Sequence, residues 1–502
     1  MNVLVETTHG AVRGTQFAGH QRFRGIPFAE PPVAALRFAA PQPVRGWSDV
    51  RDASAYGFSA VQPKSPLPGM QVGPQSEDCL TLNIYTPAAD DARRPVLFWI
   101  HGGGFVTGGS CQALYEGRAL VERGDVVLVT INYRLGVLGY LDLPELDGAT
   151  ANAGQLDQIA ALEFVRDNIA RFGGDPGNVT IFGESAGGMA VSVLLGMPAA
   201  RGLFHKAIAQ SGAAAATQDR ETAAQVADVW LRQLGLSRRS LAGLRDLPAS
   251  DLLAAQVASA NELRNGRIFL ANAPVVDGTT LPMHPLQAVR EGAAAAVPLL
   301  TGTTRDEWRL FEMPSLMKDI DARGIVKRLA AQLPDDADVE RLVALYAEAR
   351  GEDPARPEQA KWIHHALQTD RTFRIPATQL AEAQAAHQAA TFMYLFSWSS
   401  PARRGELGAC HAIELPFVFG TLDAPGMDRF SGSGPDAEQL AERMMDAWLA
   451  FARTGDPNHA GLPKWERYEP TRRATMDLGA EPSLCDAPME RERRAWQEVR
   501  AV

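Results

Sequence analysis

The chain has 502 residues, 46% of them hydrophobic, enough to bury a large core; length alone would allow roughly two to four domains. A formal charge of −10, scattered rather than blocked, argues against nucleic acid or anionic membrane as a partner, since an acidic surface attracts neither. Four cysteines (Cys79, Cys111, Cys410, Cys485) make no disulfide framework, and none forms a CxxC pair suited to zinc.

The N-terminus has no basic start and no long apolar run, so it does not read as a signal peptide. No uninterrupted apolar run reaches the roughly 18 residues of a membrane span. These features set the expectation of a soluble, cytoplasmic protein of bacterial style. Val3–Val5 and Ala11–Arg13 flank a His9-Gly10 turn and predict a hairpin. A proline-rich stretch follows at Phe23–Pro32, and residues 60–76 read as loop. Glu77–Pro87 alternates Leu80, Leu82 and Ile84 with polar positions, which predicts a strand with one wet face. Val96–Ile100 is continuously apolar, as expected of a strand buried on both sides.

That strand opens into His101-Gly102-Gly103-Gly104-Phe105. Successive glycines let backbone amides turn towards one small space, where they can stabilise the charge of a tetrahedral intermediate. A phosphate cradle would need a Gly-Lys-Ser/Thr ending, which is missing. Asp125–Asn132 predicts another buried strand and Gln158–Phe172 an amphipathic helix. Gly173–Asn178 reads as a turn with too few acidic ligands for calcium.

Val179–Phe182 then runs straight into Gly183-Glu184-Ser185-Ala186-Gly187, and a helical apolar pattern (Met189, Val191, Val193, Leu194, Leu195) follows at once. In this strand–turn–helix setting a Gly-x-Ser-x-Gly pentapeptide presents a strained, nucleophilic serine. By position, Gly103, Gly104 and Ala186 supply the amides of an oxyanion hole. Phe204–Gly212 and Val297–Gly302 predict strands, 220–260 and 309–390 helices, and Thr391–Phe396 a last strong strand. Gly408–Gly420 reads as a loop and Ala437–Thr454 as a closing helix. Strands and helices in alternation, with long apolar runs, predict a mostly parallel α/β sheet. With no repeat or linker, residues 1–502 read as one domain, with helical insertions around 213–300 and 309–400.

A serine nucleophile on this sheet calls for an acid and then a histidine later in the chain. Among ten histidines, His9, His20 and His101 fall in the wrong order. His205 follows too closely, and His459 sits in a surface loop. The His364-His365 pair lies in a helix without a third ligand for a metal. His411, past a strong strand and flanked by small residues, is the expected general base. Asp306 and Glu307 are adjacent at a strand end, so only one can face it. Glu307 is chosen, with Asp306 as a cap or salt-bridge partner. Glu184 is expected to tune the field and Glu414 to be a buried hydrogen-bonded group.

Together these residues resemble the type B carboxylesterase/lipase family. The resemblance rests on Phe28–Pro32, Glu77–Leu80, His101–Gly104, Asn132–Arg134, Gly183–Gly187, Thr303–Glu307 and His411–Glu414. It implies an α/β-hydrolase fold and a triad of Ser185, Glu307 and His411. It also implies a serine, Ser211, near that triad and structural ion pairs Arg37–Glu77 and Arg134–Asp157. Cys79 matches a cysteine that is disulfide-bonded in secreted relatives, but Ala60 stands where its partner is expected, so a free thiol is implied. The loop before Glu77 holds no tryptophan, which argues against a choline site.

The expected function is serine carboxylesterase, acting on short- to medium-chain and aryl, p-nitrophenyl or p-nitrobenzyl esters through an acyl-enzyme, with no metal or organic cofactor. The alternatives are a lipase, an amidase or carbamate hydrolase on the same triad, and a non-catalytic binding module. Met70, Phe105, Phe269 and Phe311 are the expected pocket residues. The expected partner is a small-molecule ester, and the expected assembly a monomer or weak homo-oligomer.

Overall fold

The computed structural model describes residues 2–64, 71–214, 216–265, 268–317 and 320–498. Thirteen strands form one sheet: β1 Asn2–Thr7, β2 Gly10–Gln16, β3 Gln21–Pro27, β4 Arg51–Asp52, β5 Thr81–Thr86, β6 Arg94–Ile100, β7 Val127–Ile131, β8 Gly174–Glu184, β9 Lys206–Gln210, β10 Leu299–Thr304, β11 Thr391–Phe396, β12 Ala474–Leu478 and β13 Ser483–Asp486. Their order is β1-β2-β3-β5-β7-β6-β8-β9-β10-β11-β12-β13, with β4 beside β2. From β7 to β12 every pairing is parallel; β1, β2, β3 and β5 add an antiparallel edge on one side and β13 on the other.

Period-two alternation divides the core between the two faces. Phe98, Val129 and Ile181 pack with Leu162, Val165, Val191 and Leu194 of the helices Ala153–Asn168 and Ala186–Gly196. Trp99, Leu128 and Phe182 pack on the other face, with Leu440, Met444 and Trp448 of the helix Pro435–Thr454. The helices Arg220–Gln233, Ala249–Asn265 and Pro285–Arg290 lie between β9 and β10, and Ala322–Ala330, Val339–Arg350, Pro357–Thr369 and Ile375–Ala385 between β10 and β11. Among the described residues no helix is long and apolar enough to cross a membrane.

Several local expectations differ. Within the expected loop Gly408–Gly420, Leu415–Phe419 forms a short helix. β5 has no wet face: Asn83, at a polar position, is buried and donates to the hydroxyls of Ser110 and Thr130. Gly173–Asn178 is not simply a turn. Gly173 turns the chain at φ 82°, and β8 already begins at Gly174, which pairs with Arg94. Beyond Thr454, β12, β13 and a helix at Glu490–Glu498 extend the structure past the helix expected to close it.

Candidate active site

β8 ends at Glu184 and a helix begins at Ala186, so Ser185 alone makes the turn, at φ 57° and ψ −127°. A positive φ at a non-glycine residue persists only where the surroundings over-determine it. Here the Ser185 N–H donates to the carbonyl of Gln210 at 3.0 Å, and its own carbonyl accepts from the Met189 N–H at 2.8 Å. Close approach enforces the glycine that follows, since a Cβ at Gly187 would lie 2.0 Å from the carbonyl oxygen of Ile100.

The glycine turn hangs from the end of β6. His101 stacks on Tyr133 with ring centroids 4.5 Å apart, and its Nδ1–H donates to the Gly102 carbonyl at 2.9 Å. The Tyr133 hydroxyl donates to the His101 carbonyl at 2.7 Å. Burial pushes the imidazole of His101 down to about 4, so it is a neutral brace. The turn closes on itself where the Gly103 carbonyl accepts from the N–H groups of Val106 and Thr107. Among the described residues the N–H groups of Gly103, Gly104 and Ala186 have no protein acceptor. All three residues line the same cleft of about 590 Å³ as Ser185 and His411.

At the end of β10, Glu307 is fully buried. Its Oε1 accepts from the Thr304 N–H at 2.8 Å, and its Oε2 lies 2.6 Å from His411 Nδ1. Asp306 is engaged elsewhere, by Arg305 and Arg309 and by the N–H of Ala409. The imidazole of His411 packs against Phe373 and Phe311, with centroids 4.8 and 5.0 Å away. Its Nε2 lies 3.0 Å from Glu184 Oε1 without hydrogen-bond alignment.

Burial first, and repulsion from Glu307 second, push the Glu184 carboxyl well above the usual carboxylate range. Glu414 is pushed up to about 8, by burial and then by Glu184 and Glu307. It accepts from the amide of Gln210, which in turn accepts from the Trp448 indole. Ser211 is buried at φ 44°, beside Gln210, and its N–H donates to the Gly302 carbonyl.

Of the expected wall residues, Phe269 and Phe311 line the cleft and are 53% and 44% exposed. Phe105 does not line it. At φ 60° it leaves the glycine turn for the core, where it is fully buried against Tyr140. Met70 lies outside the described residues. The sequence reading missed Val226, Trp230, Leu263, Leu310 and Phe373, all of which line the cleft. Phe373 stands on a π-helical turn, Asp370–Arg374, a distortion with no plain sequence signature.

His364 and His365 are buried packing groups that meet the carboxylate and carbonyl of Glu312. Arg37–Glu77 and Arg134–Asp157 are forked ion pairs, as expected. Cys79 is a free, buried thiol. Among the described residues no group of three His, Cys, Asp or Glu side chains could hold a metal ion.

A model of the carboxylesterase family matches residues 2–496. The chain is 41% identical to para-nitrobenzyl esterase of Bacillus subtilis (strain 168), over 98% of each chain. It is 36% identical to phenmedipham hydrolase of Pseudarthrobacter oxydans, over 95% of each. Among solved structures, a Geobacillus stearothermophilus carboxylesterase superposes with a TM-score of 0.87 at 40% identity, covering 98% of this chain and all of that one. A thermophilic pNB esterase gives 0.88 at 38% identity, over 99% of this chain and all of its own. On this evidence of sequence and fold, the chain is an α/β-hydrolase that belongs to the carboxylesterase family, enzymes that hydrolyse carboxylic esters.

Proposed function

We propose that Ser185, His411 and Glu307 form the catalytic triad of a serine carboxylesterase. His411 Nε2 takes the Ser185 proton as the serine oxygen attacks the ester carbonyl. The amides of Gly103, Gly104 and Ala186 receive the developing oxyanion. His411 then protonates the departing alcohol, and water, activated by the same imidazole, releases the acid. Glu307 fixes the tautomer, holding the proton of His411 on Nδ1. Burial first, and Glu307 second, push the Glu184 carboxyl up, which disfavours a carboxylate that would hold a proton on Nε2. No cofactor enters any of these steps.

The observation that carries this reading is the 2.6 Å contact between His411 Nδ1 and Glu307, in the cleft that Ser185 lines. Apolar walls supplied by Trp230, Leu310, Phe311 and Phe373 favour p-nitrobenzyl, p-nitrophenyl and other short- to medium-chain esters, in keeping with the Bacillus relative. The Pseudarthrobacter relative supports a second reading, carbamate hydrolysis by the same groups.

The test is labelling with a fluorophosphonate followed by peptide mass spectrometry, beside turnover of p-nitrobenzyl and p-nitrophenyl esters and an aryl carbamate. Modification at Ser185 with loss of ester turnover is expected. A labelled enzyme that still turns over esters at full rate would overturn the assignment. The single sheet running from β1 to β13 supports one domain over residues 1–502. The unpaired state of all four cysteines supports a reducing, cytoplasmic setting. We assign a monomer or weak homo-oligomer, testable by light scattering.

A further inference from the structure

Asn272 is 4% exposed and lines the cleft, yet no protein hydrogen bond engages its side-chain amide among the described residues, and neither of its polar atoms is a fully enclosed atom left without a partner. Buried amides elsewhere in this chain are employed. Asn152, for example, donates to the Val275 carbonyl and the Thr280 hydroxyl and accepts from the Val275 N–H. Gln256, also on the cleft wall, accepts from the Val137 N–H. The amide therefore keeps contact with the open space of the cleft, whereas so enclosed a polar side chain normally finds a protein partner.

The turn that carries Asn272 is anchored. The Leu270 carbonyl accepts from the Ala273 N–H at 3.2 Å and from the Gln218 amide at 2.8 Å. The Gln218 N–H donates to the Pro274 carbonyl at 2.8 Å. The turn also borders the reaction centre, since a Cβ at Gly104 would lie 3.9 Å from Leu270 Cδ2. The amide is thus held in the wall of an otherwise largely apolar cleft, beside the glycine turn.

We propose that Asn272 is a specificity-determining residue that hydrogen-bonds a second, uncharged polar group of the substrate, such as a ketone, ether, hydroxyl or amide close to the scissile ester. An uncharged group is specified because desolvating a full charge against these walls costs more than one amide returns. The proposal rests on the esterase reading above and adds a substrate class to it. A site built to pair a polar group discriminates against an analogue that lacks it, because the site's own amide is then left dehydrated.

The experiment compares kcat/KM within two pairs of near-isosteric esters, each normalised to its rate with hydroxide. One pair varies the acyl part (p-nitrophenyl 4-oxopentanoate against p-nitrophenyl pentanoate). The other varies the alcohol (2-methoxyethyl butanoate against butyl butanoate). On at least one pair the wild-type enzyme should favour the polar member, and Asn272→Leu should lower that polar-to-apolar ratio by roughly 10-fold, within a range of about 5- to 100-fold. The pair that responds tells which side of the ester the amide serves.

Ratios in Asn272→Leu within twofold of wild type on both pairs would overturn the proposal. So would a wild-type enzyme that treats both members of both pairs alike, a result that needs no variant to fold. Failure of the wild type to hydrolyse any of the four esters would sink the esterase reading instead.

Discussion

The two glycines of the proposed oxyanion hole differ in what they tolerate, and substituting each in turn separates backbone geometry from mere proximity. At Gly103 φ is 115°, outside the reach of ordinary side chains, and a Cβ would sit 2.1 Å from the Thr107 carbonyl oxygen, where real contacts stay above 3.0 Å. Gly103→Ala must therefore open the turn by about 0.9 Å or more, the difference between those two distances. A misplacement near 1 Å at a reacting group costs on the order of 10²-fold in rate. Loss of one oxyanion donor costs roughly 10²–10³-fold in kcat.

At Gly104 φ is 64°, in the left-handed region that other residues enter at a cost of roughly 1–2 kcal/mol, and the nearest atom to a Cβ is Leu270 Cδ2 at an ordinary 3.9 Å. Gly104→Ala should keep kcat within about 10-fold of wild type, since that strain is the main cost. The assay is kcat and KM on p-nitrophenyl butanoate, with circular dichroism and thermal denaturation to confirm that both variants are folded. Folded Gly103→Ala turning over within fivefold of wild type, or Gly104→Ala as damaged as its neighbour, would refute the reasoning.

Ser185→Ala should leave the fold unchanged and lower kcat by a factor of roughly 10³–10⁶, measured by stopped assay on highly purified protein. Glu307→Gln should lower kcat by roughly 10²–10⁴-fold by disturbing the His411 tautomer, whereas Asp306→Asn should chiefly lower the melting temperature through its contacts with Arg305, Arg309 and Ala409. For Glu414, raised in the folded protein from 4.5 to about 8, the native state holds a proton that the unfolded chain has lost between those values. Its contribution to stability is complete below pH 4.5, falls as pH rises and is gone above about 8, so Glu414→Gln should gain on wild type across that window, by an upper bound of about 5 kcal/mol at about 1.36 kcal/mol for each pH unit. Urea unfolding of both proteins at pH 5 and pH 8.5 checks this, and parallel pH profiles would refute it.

The turns that carry the proposed catalytic groups were legible because that chemistry demands particular residues at particular places. Gly183–Gly187 and His101–Gly104 each follow an apolar run that can only be a buried strand, and both sit at strand ends in the structure. The cleft walls were not legible, because an apolar side chain facing a substrate and one facing the core have the same sequence signature. Phe105 and Phe373 illustrate this: the first looked like wall and is core, the second lay unnoticed in a helical stretch and packs on His411. β5 was misjudged for a related reason. Its polar Asn83 suggested solvent, but Ser110 and Thr130 satisfy it internally, and a sequence does not announce such partners. β12 and β13 are five and four residues long, too short for their alternation to stand out.

The same side chain plays different parts around His411, and the donors each carboxyl receives decide which. Glu307 Oε1 is met by the Thr304 N–H and its Oε2 by the imidazole, so its charge would be compensated in a site without water. Glu184 Oε1 and Glu414 Oε2 receive no donor among the described residues, and burial without donors favours the protonated acid. A negative Glu184 beside Nε2 would hold a proton on that nitrogen, leaving the imidazole unable to take one from Ser185. In the proposed mechanism, withholding donors from Glu184 therefore serves the base as much as supplying them to Glu307. The hydrogen bond on Nδ1 orients the ring, and the Glu184 carboxyl, 3.0 Å from Nε2 but not aligned with it, leaves that nitrogen available to the serine in the proposed mechanism.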